Sequence, residues 1–132
     1  NSNHDIKGVD PCRLIPVDDD QTNPNLIHTK LKALLDRNGT SRDWTEIVVS
    51  DNRNYATYTH ELPGQSPGSD LHSDENRWWV VLQGKIIWSV EGEESFVADP
   101  GDVVYLEKHT SYSIKTTGEL SSIRLTVSAP II

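Results

Sequence analysis

The recurrence of apolar side chains changes period once along the chain, near residue 44. Before that point Ile27, Leu31, Leu34 and Leu35 recur at helical spacing and share one face. Asn23-Pro24 supplies an N-cap residue followed by proline at the first helical position, and Asn38-Gly39 supplies a left-handed stop. The pattern therefore predicts one amphipathic helix over about 24–38, with His28 beside its apolar stripe as a partly exposed residue. From Trp44 onward, short β-branched and aromatic runs are punctuated by glycine and proline. They predict strands at Trp44–Ser50, Asn54–Leu62, Arg77–Gln83, Lys85–Val90, Glu94–Val97, Val103–Leu106, Ser111–Lys115 and Ser121–Ser128. Short strands with no helix between them form an antiparallel sandwich or barrel rather than a parallel sheet. Gly84 divides one long apolar run in two, which predicts a tight hairpin there; Glu91-Gly92 and Pro100-Gly101 predict the next turns. Residues 1–22 carry turn formers and the run Asp18-Asp19-Asp20 without a sustained period, and read as an arm.

At 132 residues the chain fits the arm followed by a single domain over 23–132, and excludes two domains of ordinary size. Its 20 acidic against 12 basic side chains give a net charge of −8, which disfavours nucleic acid and anionic lipid as partners. The longest apolar runs are a few residues, far short of the ~20 that span a bilayer, so a soluble chain without a membrane partner is expected. The single cysteine, Cys12, cannot form an internal disulfide or a cysteine-rich zinc site. Any transition-metal site would be drawn from His4, His28, His60, His72 and His109. The chain starts at Asn1 and shows no signal peptide; one already cleaved would leave none. Asn38-Gly39-Thr40 matches a glycosylation acceptor, a short motif that arises readily by chance.

Two stretches carry a resemblance. Pro67-Gly68-Ser69-Asp70-Leu71-His72-Ser73-Asp74-Glu75-Asn76-Arg77-Trp78-Trp79-Val80-Val81-Leu82-Gln83-Gly84 resembles the first motif of the cupin superfamily. Asp99-Pro100-Gly101-Asp102-Val103-Val104-Tyr105-Leu106, continuing to Ile114, is similar to the second. The resemblance covers roughly residues 45–128. It implies an all-β fold, the cupin double-stranded β-helix or jelly-roll barrel, at about 44–128 behind the one N-terminal helix.

The resemblance also implies where a metal would sit, and there the sequence departs from the family. Metal-binding cupins supply H-x-H and then glutamate from the first motif and one histidine from the second. Aligned on Gly84, the glutamate place is Arg77, and the two histidine places are Asp70 and His72 with the family's four-residue spacing or Leu71 and Ser73 with its three-residue spacing; the second motif offers Tyr112, with His109 where relatives have a turn glycine. A guanidinium is always charged and repels a cation held beside it. No metal site is therefore expected. The alternative is a metal-dependent cupin enzyme, a dioxygenase, isomerase or lyase, holding Fe, Mn, Ni or Zn through His72, His60 and Asp70 or a neighbouring carboxylate. Metal-free acid–base chemistry is a further option, with His72 oriented by Asp70 or Asp74 as base and Tyr112 as acid.

Alternate residues of a strand share a face, so Arg77 and Trp79 point one way and Trp78 and Val80 the other. If the glutamate place faces the interior, the barrel holds a guanidinium beside an indole, a combination suited to a small polar or anionic molecule: a sugar, carboxylate or phosphate. The expected ligand-binding set is Asp70, His72, Arg77, Trp79 and Tyr112. The competing expectation pairs Arg77 internally with Asp70 or Glu75, since a buried arginine requires a partner. Arg77 is the one charge expected inside the barrel. Trp44, Trp88 and Phe96 read as core or interface, and His109 as an exposed turn residue. Relatives commonly pair through an edge strand or N-terminal arm, so a homodimer is expected; a structural or regulatory dimer without ligand is the remaining alternative.

Overall fold

Eight strands follow one another where the period-2 runs predict them, in a computed structural model that describes residues 25–68 and 71–129. The expected arm, the Asn23-Pro24 cap, His4, Cys12 and Asp70 lie outside those residues. The strands are β1 Trp44–Ser50, β2 Tyr55–Glu61, β3 Arg77–Gln83, β4 Lys85–Val90, β5 Phe96–Ala98, β6 Val103–Leu106, β7 Tyr112–Thr117 and β8 Ser122–Ser128. A five-stranded sheet has the order β1-β2-β8-β3-β6 and a three-stranded sheet the order β5-β4-β7, with every pairing antiparallel. The free edge of β7 is covered by the segment after β2. Gly64 N donates to Thr116 O, Ser66 Oγ to Ile114 O, and Leu71 and Tyr112 exchange both backbone bonds.

The helix, α1, is shorter than its apolar spacing suggests and runs from Leu31 to Asn38. Residues 25–30 are not helical. The Asn25 amide exchanges two hydrogen bonds with the backbone of Ser50, at 3.1 and 2.8 Å, and so takes the part of a strand neighbour at the end of β1. Ile27 is fully exposed, His28 stands outside the helix, and of the expected stripe Leu34 alone is buried. Gly39 ends the helix as expected, its N–H bonded to Leu35 O. Asn38 and Arg37 tether α1 to β1 through Glu46, at 2.7 and 3.0 Å. The Asn38 amide, and after it Arg37, hold the Glu46 carboxyl below its usual range. This tether is therefore present above the ordinary carboxylate pKa and is lost as pH falls through the lowered folded value.

The hairpin expected at Gly84 is absent: β3 and β4 lie in different sheets, and Gly84 is the corner between them. The register of β3 against β8 slips at Leu82, just before that corner. The Pro100-Gly101 turn docks on the same place, with Gly101 N donating to Val81 O and Val81 N to Asp102 O. Asp102 fixes the turn through its carboxylate, which accepts from Asp99 N at 2.8 Å. Glu91-Gly92, by contrast, does join two paired strands, β4 and β5.

Trp79, Val81, Ile86, Trp88, Val104 and Ile114 lead the core cluster, built by β3, β6 and the three-stranded sheet. Trp88 is fully buried, lies edge-on to Trp79 at 5.7 Å, and stacks on Phe96 at 6.1 Å. Trp88 therefore belongs to the packed interior, while Phe96 covers it from the surface and is itself 39% exposed. Trp44 is buried too, with its ring stacked on His60 at 5.7 Å and its Nε1 donating to Gly39 O.

Candidate functional site

Cross-strand partners share a face, so the register assigns the concave side of the large sheet row by row. One row joins Thr45, Thr59, Arg124 and Val81; the next joins Thr57, Thr126, Trp79 and Val104; the next joins Tyr55, Ser128, Arg77 and Leu106. Along these rows the β2 and β8 positions carry hydroxyls or charge, and where β6 continues a row its positions are apolar. The barrel interior is thus divided. Its β6 side packs into the core with the three-stranded sheet, and its β2–β8 side, with Arg77 and Trp79 of β3, borders a cavity of about 400 Å³.

That cavity is lined from both sheets. The large sheet offers it Arg77, Arg124, Glu61, Thr59 and Thr126 with the Trp79 ring among them, and β7 of the small sheet offers Tyr112 and Ile114. Tyr112 meets Trp79 edge-on at 5.3 Å, which fixes both rings. Asp43, Trp44 and Thr45 at the start of β1, and Ser66, Pro67 and Leu71 along β7, complete the lining. Of the expected ligand residues, Arg77, Trp79 and Tyr112 are brought together. His72 is exposed and does not line the cavity, and Asp70 lies outside the described residues.

Four charges are buried here where one was expected. Arg77 is 1% exposed, and its Nη2 lies 3.4 Å from Glu75 Oε1; Glu75 in turn receives the Ser73 hydroxyl and is itself buried. The internal pair with Glu75 is thus present, on a side chain that also lines the cavity. Arg124 Nη1 donates to Glu61 Oε1 at 2.9 Å, and Thr116 Oγ1 reaches the same oxygen at 3.0 Å. Ser122 continues that network at 2.7 Å from Thr116. Pairing each guanidinium with a carboxylate is what allows either to be buried at all. Arg77 and Arg124 stand on neighbouring strands four positions apart in register, or about 13 Å along the strand direction. Between them lies the pair Trp79 and Thr126. The Thr126 hydroxyl is buried with no hydrogen-bond partner among the described residues, a state that costs about 1–3 kcal/mol unless something in the cavity satisfies it.

The remaining histidines are placed away from this site. His60 faces the opposite side of the large sheet: its Nδ1 donates to Arg42 O at 2.9 Å, and its Nε2 meets Ser121 Oγ at 3.0 Å. The face is set by register, since His60 is partnered by Trp44 and Ile123 on the convex side. His60 and His72 therefore do not converge on the cavity. His109 occupies a turn with φ 69°, the left-handed conformation a glycine would take, and is exposed as expected with Asp74 3.7 Å away. Among the described residues no group of three or more His, Cys, Asp or Glu side chains could hold a metal ion. No helix of the described residues is long and apolar enough to cross a membrane.

Arg124, Glu61 and Thr126 were not among the residues singled out from sequence. The signal was present in β8, where Ser122, Arg124, Thr126 and Ser128 alternate with Ile123, Leu125 and Val127. Alternation alone suggests that the polar set faces solvent. In this barrel the polar set faces in and is buried.

Known structures reproduce the two-sheet architecture. A protein of Thermus thermophilus superposes with TM-score 0.67 at 22% identity, covering 80% of this chain and 98% of its own. A Klebsiella pneumoniae protein with a double-stranded β-helix domain gives 0.67 at 18%, covering 80% and 91%. A cupin superfamily protein of Desulfitobacterium hafniense gives 0.66 at 15%, covering 83% and 97%. At these identities the likeness concerns the fold. No curated protein matches the sequence. The family model of the cupin domain matches residues 58–128, from the middle of β2 to the end of β8, and with the fold just described this places the chain in the cupin superfamily.

Proposed function

We propose that the protein binds a small polar or anionic molecule in the barrel cavity and that its cupin metal site is degenerate. One observation carries this reading: a cavity of about 400 Å³, within the range of small-molecule sites, is lined by two arginines with Trp79 between them on one sheet and by Tyr112 on the other. Arginine presents a planar fork matched to carboxylate or phosphate, and a wall of aromatic rings accepts the apolar face of the same ligand. The donor chemistry supports the metal-free reading as well. The place a ligating glutamate would take is filled by Arg77, whose guanidinium cannot ligate a cation, and His60 is occupied on the far side of the sheet.

A thermal-shift panel of sugar acids, carboxylates and phosphates on the full chain tests this. At least one compound is expected to raise the melting temperature by several degrees, and Arg124→Gln is expected to remove the shift. No stabilisation by any of them at millimolar concentration would overturn the reading, and a shift unchanged in Arg124→Gln would move the anion contact to Arg77. Stoichiometric Fe, Mn, Ni or Zn in the purified protein, lost on His72→Ala, would favour a metal-dependent enzyme instead.

We also propose that two copies pair through the convex face of β3, β6 and β8. Trp78 is partnered by Tyr105 and Val127, and Val80 by Val103 and Leu125, so six apolar side chains adjoin without a charge among them. Trp78, Val103 and Tyr105 are 39%, 63% and 54% exposed. Copies that each carry a net charge of −8 meet with least repulsion on such a face. Light scattering is expected to give a dimer at micromolar concentration and a folded monomer for Tyr105→Lys; a monomeric wild-type protein would refute the pairing.

A further inference from the structure

We infer that the ligand class is a hydroxylated ring carrying one carboxylate, as in a uronic acid, rather than a phosphate ester, a neutral sugar or a plain apolar acid. The inference rests on the anion-pocket reading above and narrows it through three features of the interior.

The first is charge. Arg77 and Arg124 are balanced by Glu75 and Glu61, so the buried charges sum to zero before a ligand enters, and Asp43 stands in the lining as a further carboxylate. A group carrying two negative charges would stay largely uncompensated in such a site, whereas a single carboxylate can share one guanidinium fork. The second is the hydroxyl row. Thr45 and Thr59 oxygens lie 3.1 Å apart on one wall, and the Thr126 hydroxyl, buried on the same wall, has no partner among the described residues. A ligand rich in hydroxyls completes such a row; a hydrocarbon ring leaves it unsatisfied. The Glu61–Arg124 pair adds an acceptor and a donor side by side, which suits two neighbouring hydroxyls of one molecule. The third is the apolar lining. Tyr112 and Ile114 on the facing sheet, with the Trp79 ring edge-on to Tyr112, present an apolar surface to the same cavity, and a sugar ring has an apolar C–H face to set against it. One ring with hydroxyls and a carboxylate on its edge matches all three.

Calorimetry on the full chain with matched rings tests the assignment, using glucuronate, galacturonate and mannuronate against glucose, cyclohexanecarboxylate and glucose 6-phosphate. At least one uronate is expected to bind about tenfold or more tightly than each of the other three, since each lacks or overloads one charged or hydroxyl contact. Thr126→Val, which keeps the side-chain shape and removes the hydroxyl, is expected to weaken the uronate severalfold and to leave cyclohexanecarboxylate unchanged. Glucose 6-phosphate or cyclohexanecarboxylate binding as tightly as the uronates would overturn the inference and leave the anion pocket standing. Glucose binding equally well would overturn the inference and leave a pocket for a polar, uncharged molecule. No binding by any of the three uronates at millimolar concentration would overturn the inference, and the pocket would then be decided by the wider anion panel.

Discussion

Replacing Gly84 by alanine is expected to lower the melting temperature by about 10 °C, the loss of roughly 3 kcal/mol for a domain of this size. Gly84 is the corner at which the chain leaves the large sheet, with φ +76°, a conformation that costs an L-residue about 1–2 kcal/mol. A Cβ there would lie 2.6 Å from the Ser121 carbonyl oxygen and 3.0 Å from the Ser122 Cα. Both atoms are backbone at the start of β8, the strand that carries Arg124 and Thr126, so relief requires moving a central strand and adds about 1–3 kcal/mol. Gly92 supplies the control. Its φ is +82°, yet nothing lies within 4 Å of its added Cβ, so Gly92→Ala should show the conformational cost alone, about 1 kcal/mol. Thermal melts of the two variants by circular dichroism separate the effects; equal losses would mean that close approach at the corner contributes nothing.

Gly84 also shows which part of the fold is legible in sequence. Period-2 runs bounded by turn residues mark where strands begin and end, and every strand starts within about two residues of the expected position, even the short one at Phe96. Which strands pair is a property of the whole barrel, and a glycine between two strands reads alike as a hairpin or as a corner between sheets. The helix failed differently. Ile27, Leu31, Leu34 and Leu35 have helical spacing, but the Asn25 side-chain amide makes two hydrogen bonds to the Ser50 backbone, a contact 25 residues away that no local pattern reports. The site follows the same division. Arg77, Trp79 and Tyr112 could be read from the departures of two motifs from their family. Arg124, Glu61 and Thr126 could not, because alternation gives the period of a strand without saying which face is buried. His60 shows the converse: proximity in sequence to the candidate ligands put it in the metal alternative, and the register turns it to the far side.

Glu61→Leu is expected to cost about 3–5 kcal/mol of stability in urea denaturation, and its value lies in comparison with the double variant. Glu61 accepts from both Arg124 and Thr116 inside the barrel, so removing it leaves a guanidinium and a hydroxyl beside leucine. Removing both charges, Glu61→Leu with Arg124→Leu, takes away the uncompensated charge and is expected to return stability to within about 1–2 kcal/mol of the wild type. If that recovery is seen, the fold did not need the ion pair, and another reason must keep two charges next to a cavity. Ligand recognition is that reason on the present reading, so the recovered double variant should fail to bind any anion that stabilises the wild-type protein. A double variant that is stable and still binds would make the pair structural and move the anion contact to Arg77. A double variant as unstable as Glu61→Leu alone would show that the Thr116–Ser122 network, rather than the charge, is what Glu61 holds in place.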